Sequence, residues 1–149
     1  MTEVVFHAGV ADPVAFAGQL LRRAARQGVR VQVTAPPEVL SLLDRILWTA
    51  EALDFVPHVR MPSASAAAAA RTPIWLTPAA LHEGAPRVLM NLGAERAPEA
   101  AALDRVIEIV SSDPDLAAEG RKRWRAYTAM GLAPRLAQDG AQRNARTYD

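Results

Sequence analysis

The 149-residue sequence contains no cysteine. That single absence excludes disulfides, thiolate metal sites and cysteine nucleophiles together. Aromatic residues are scarce at 5 %, and the charges nearly cancel, with 17 Lys and Arg against 16 Asp and Glu. A net charge of +1 argues against a domain that coats nucleic acid over its whole surface, which calls for a strongly basic balance. Any electrostatic recognition must be local. No apolar run approaches the ~20 residues of a membrane span, and the opening MTEVVFHAG lacks the layout of a signal peptide. No membrane contact is expected, and the expected location is the cytoplasm.

Chemical signatures are missing as well. A single glycine stands in FHAGVADP, where a dinucleotide fingerprint needs three to bring backbone against pyrophosphate. No Walker-type loop and no G-x-S-x-G elbow occurs. His7, His58 and His82 lie in different segments without ligand spacing, and neither Asp54 nor Glu83 pairs with a histidine recognisably. Neither a cofactor nor a metal is expected, and the chain reads as a non-enzyme.

What is present is an alternation of strand and helix patterns. EVVFHAG is a β-rich apolar run ending in a turn. DPVAFAGQLLRRAARQG follows with Asp12 as N-cap, Pro13 at the first helical position and Gly28 as the stop, its apolar face marked by Phe16, Leu20, Leu21 and Ala24. VRVQVTA is a second strand, so the opening is a βαβ unit with parallel strands. PPEVLSLLDRILWT is a second helix, and PIWLT, PRVLMNLG and LDRVIEIVSS are further strands. Ser112 or Asp113 caps a last helix that runs to Met130 and stops at Gly131. The whole predicts an α/β fold, a mostly parallel sheet with helices on both faces in a single domain. That domain is expected over residues 1–131, with the Ala/Ser-rich stretch 61–72 as a loop and 132–149 as a flexible tail.

Two stretches rise above this background. In GRKRWRAYTAMG, residues 120–131, at roughly 100° per residue, Leu116, Gly120, Trp124, Tyr127, Met130 and Gly131 make an apolar stripe. Ala117, Arg121, Arg125 and Thr128 make a cationic flank beside it, while Arg123 projects near the apolar side and must snorkel or find an acid. Such a notch suits a peptide carrying an apolar side chain and a carboxylate, which Arg grips bidentately. The alternative is that the aromatics are core and the arginines complement the helix dipole. In LWTAEALDFVPH, residues 47–58, Trp48 and Phe55 flank a polar stretch and Val56-Pro57-His58 leaves it extended. Aromatics there either form a partner-binding patch or cap the sheet.

Taken together, these residues resemble the chi subunit family of bacterial DNA polymerase III over most of the chain. The resemblance rests on EVVFH with GVRVQV, on LDRILWTAEALDFVPH, on PIWLT and VLMNL, and on GRKRWRAYTAMG. It implies a Rossmann-like fold without nucleotide chemistry and two binding faces. One face, around Phe55 with Trp48, Val56, Pro57 and His58, would bind the psi subunit of the clamp loader, or a helicase. The other would bind the acidic C-terminal tail of single-stranded DNA-binding protein through Arg121, with Arg125, Trp124, Thr128 and the pocket-lining Val110. DNA would then be met only indirectly, within the replisome at the nucleoid. Ala117 departs from relatives that carry a basic residue one turn before Arg121. The rival readings are a small nucleotide-binding enzyme of Rossmann-like fold and a direct single-stranded DNA binder using Trp124 and Tyr127 as stacking platforms.

Overall fold

The computed structural model describes residues 2–49, 56–93 and 102–137. The elements are β1 (Glu3–Val10), α1 (Pro13–Arg26), β2 (Val31–Thr34), α2 (Pro37–Thr49), β3 (His58–Arg60), α3 (Ala66–Arg71), β4 (Ile74–Thr77), β5 (Val88–Asn91), β6 (Arg105–Ser111), α4 (Pro114–Ala129) and β7 (Arg135–Leu136). They build one seven-stranded sheet in the order β3-β4-β2-β5-β6-β1-β7. All of its strand pairs run parallel, which explains why the central strands read as near-continuous apolar runs. The α/β, Rossmann-like expectation holds.

The helix ends follow their chemistry. Asp12 caps α1 by accepting from the Ala15 amide, and Asp113 caps α4 by accepting from the Leu116 amide at 3.1 Å. Proline opens both helices. Gly28 ends α1 at φ +73°, a left-handed conformation that a side chain resists.

Each face of the sheet is covered. On one face, α1 and α2 bury Ala17, Leu21, Leu40, Leu43 and Leu47 against Val31, Val33, Ile74, Leu76 and Ile109. On the other, α4 buries Ala117 and Tyr127 against Phe6, Leu89, Val106 and Val110. A smaller cluster of Ala69, Trp75 and Ala85 sits beside β3 and β4.

Three expectations are corrected. The stretch 61–72 is not a loop throughout, because Ala66–Arg71 form α3, with Ser65 accepting from the Ala68 amide as N-cap. Alanine's helix propensity and that cap outweigh the flanking prolines. Part of the expected tail belongs to the sheet, since Arg135–Leu136 pair with Val5 and Phe6 of β1. Finally, His58–Arg60 is not merely an extended exit but an edge strand on β4.

Candidate functional site

Helix α4 is set against the sheet by a glycine and a buried polar cluster. Gly120 lies so close to β6 that a Cβ there would stand 2.7 Å from Val110 Cγ1. One turn on, Arg123 finds its acid, its Nε donating at 2.9 Å to Glu108 Oε1, with both residues buried. Glu108 Oε2 also accepts from the Tyr127 hydroxyl at 2.6 Å and from Asn91 Nδ2 at 2.9 Å, and Asn91 in turn accepts from the Thr34 hydroxyl. The cluster therefore crosses β2, β5 and β6 and reaches the helix. Burial, then the Glu108 charge and hydrogen bond, push the Tyr127 phenol far above its usual range, and Arg123 offsets part of this.

That anchorage decides which side of α4 faces out. Trp124 is half-buried, its ring centroid 4.8 Å from that of Phe6, and Phe6 meets Tyr127 edge-on at 5.9 Å. Next to it, Arg121, Arg125 and Thr128 are exposed, and the Thr128 hydroxyl donates to the Trp124 carbonyl. Among the described residues, neither Arg121 nor Arg125 forms an ion pair, whereas Lys122 is matched by Glu119 at 3.0 Å. Ala117, one turn before Arg121, is buried in the core against the sheet. The structure thus gathers four of the five expected residues, Arg121, Trp124, Arg125 and Thr128, on one flank.

Val110 is placed differently. It is the strand residue beneath Gly120, buried, and it helps line a cleft of about 250 Å³ with Leu92, Leu116, Glu119 and Arg123 at the C-terminal ends of β5 and β6. At about 100° per residue, those helix positions project some 140–160° away from Arg121. The cleft and the arginines occupy opposite flanks of α4. Two members of the expected apolar stripe also fall outside the core, since Leu116 and Met130 are each about half exposed.

The second expected face is only partly a surface. Trp48, at the end of α2, is 61 % exposed and stands edge-on to the His58 ring at 5.5 Å. Pro57 is exposed beside it, but Val56 is core, and the His58 ring is sealed, with Nδ1 2.7 Å from the Val56 carbonyl and Nε2 2.7 Å from Asp44. Phe55 lies outside the described residues. The residues that sequence reasoning missed are Glu108, Asn91 and Asp44. Arg123 had either to snorkel or to find an acid, and Glu108 is the acid inside the apolar run VIEIV. Asp44 sits one element before its histidine, so no local spacing reveals it.

A seven-stranded parallel sheet with helices on both faces defines a single Rossmann-like α/β domain, with the Arg121 flank of α4 on one face and the exposed Trp48 on the other. The family model for the DNA polymerase III chi subunit, HolC, matches residues 1–135. The chain belongs to that family and is an accessory subunit of DNA polymerase III. A search of curated proteins gives no match.

Proposed function

We propose that this subunit is a non-catalytic adaptor that links the clamp-loader assembly to single-stranded DNA-binding protein, by holding the latter's acidic C-terminal tail on the Arg121 flank of α4. The observation that carries this reading is the pair of exposed arginines, Arg121 and Arg125, four residues apart and without an acidic partner among the described residues, beside a half-buried Trp124. A terminal carboxylate needs a fixed bidentate donor, which Arg121 supplies. An apolar side chain of the tail needs a ledge, which the half-buried Trp124 supplies. The second face, at Trp48 and Pro57, takes the psi subunit or a helicase. Two modest contacts then act together through effective concentration.

The test is calorimetric titration with a peptide copying an acidic tail of single-stranded DNA-binding protein. Arg121→Ala is expected to weaken binding at least tenfold, since losing a hydrogen bond to a charged group costs about 1.5–3 kcal/mol. Arg125→Ala should cost less, because its contact is with side-chain carboxylates rather than the chain end. Absence of binding by the unaltered protein at moderate salt would reduce the flank to a solvated helix face.

A further inference from the structure

A second cationic surface lies at the opposite end of the strands from the cleft. Between Asp12 and Glu38 the chain has no acidic residue and four arginines, Arg22, Arg23, Arg26 and Arg30. On α1 the first three fall within about 100° of one another, with Arg23 and Arg26 exposed and Arg22 half-buried, its Nε out of reach of solvent. The turn at Gly28, closed by the Val29 amide donating to the Ala24 carbonyl at 2.9 Å, brings Arg30 beside the last turn of the helix. The Arg30 guanidinium lies 5.7 Å over the Trp75 ring, and Trp75 Nε1 donates to the Ala69 and Thr72 carbonyls at the end of α3, where Arg71 projects. The Val31 amide donates to the Pro73 carbonyl, so these two chain ends are adjacent.

Arg23, Arg26, Arg30 and Arg71 are all exposed, and among the described residues none forms an ion pair. The contrast is local, because Arg87 and Arg105, at the same strand ends, are matched by Asp104 and Glu3. Helix dipoles account for a cation in the last turn of α1 and of α3. They do not account for Arg30, which stands outside both helices with its guanidinium over an indole.

We propose that this arginine end contacts the phosphodiester backbone of nucleic acid. Guanidinium groups bind phosphate bidentately, and a subunit of a DNA polymerase works beside that polyanion. Among the described residues no exposed aromatic accompanies these four arginines, Trp75 being 4 % exposed beneath Arg30, so bases are not read. The contact is weak, indifferent to sequence and sensitive to salt. It is separate from the tail-binding flank and adds a direct contact to the indirect one.

The experiment is fluorescence anisotropy with a labelled thymidine oligonucleotide and a duplex of equal length, as a function of salt. Four phosphate contacts predict slopes of log K against log salt of about −2.8 for the single strand and −3.6 for the duplex, or roughly 20- to 50-fold loss from 50 to 150 mM. Replacing all four arginines with alanine should abolish most of the slope and at least tenfold of the low-salt affinity. Because Arg30 packs on Trp75, the triple Arg23→Ala, Arg26→Ala, Arg71→Ala, which spares it, should give an intermediate slope. Three results would overturn the proposal: no binding of either oligonucleotide at low salt, binding that survives the fourfold replacement, or an acidic peptide or anionic vesicle preferred by the same arginines. Titrating the tail peptide on the same proteins separates the two readings, since the fourfold variant should bind it as the unaltered protein does, whereas Arg121→Ala should leave oligonucleotide binding unchanged.

Discussion

At the scale of single residues, the fully buried Glu108 is the most consequential position in the described structure. A carboxylate with no solvent contact persists only because Arg123, Tyr127 and Asn91 all donate to it. Tyr127→Phe removes one charge-assisted donor and is expected to cost about 1.5–3 kcal/mol in urea unfolding. The same substitution has a pH signature. The folded phenol holds its proton well above the usual range while the unfolded one releases it near pH 10, so the folded state binds more protons and stability falls with rising pH. This contribution is complete below about pH 10 and is lost above it, at a limiting slope near 1.4 kcal/mol per pH unit that Tyr127→Phe should lack. Gly120 makes an independent test of packing. Gly120→Ala forces a Cβ to 2.7 Å from Val110 Cγ1, and about 1–3 kcal/mol of overpacking should exceed the helix-propensity gain of up to about 1 kcal/mol. Adding Val110→Ala should return part of that loss in thermal melts. The sequence left Arg123 two outcomes, to snorkel to solvent or to find an acid, since a guanidinium on an apolar side cannot stay buried and unpaired. Which acid it finds was not legible, because the partner is fixed by how α4 crosses β6.

At the scale of elements, what could be read depended on whether the signal was local. The five longer strands, β1, β2, β4, β5 and β6, and helices α1, α2 and α4 carry their own prolines, turn residues and apolar patterning, and they lie where those signals put them. Helix α3 was obscured because six residues are too few for a periodic face, and its stability comes from Ser65 and from Ala69 packing under Trp75. Strands β3 and β7, of three and two residues, show no alternation. They exist because β4 and β1 offer an open edge, which is a tertiary fact. The proposed tail-binding flank was legible to the extent that it lies on one helix. Val110 was not, since whether a strand residue faces the arginines or lies beneath the helix depends on docking geometry. Cap chemistry gives this scale its own prediction. Asp113→Ala leaves the Leu116 amide without its acceptor and should destabilise the protein by about 0.5–2 kcal/mol. The loss should appear first as faster hydrogen exchange in the first turn of α4, because local opening there does not require global unfolding.

At the scale of the whole molecule, the arrangement of the sheet keeps the two proposed faces apart. Trp48 ends a helix on one side of the sheet near β3, whereas Arg121 rides α4 on the other side, over β6 and β1. From β3 to β1 is five strand spacings, roughly 24 Å. The sheet between them is continuously paired and parallel, and coupling over such a distance needs an element with two arrangements, which a paired sheet does not offer. The tail peptide should therefore bind Trp48→Ala within about twofold of the unaltered protein. The double variant Trp48→Ala/Arg121→Ala should show the Arg121 loss alone, additive to within about 0.5 kcal/mol. A larger departure from additivity would mean that the sheet shifts when one face is filled, and the adaptor would then signal rather than simply tether. If additivity holds, the gain from having both faces on one chain comes from effective concentration, and loss of either face should break a bridged assembly although the other contact is intact.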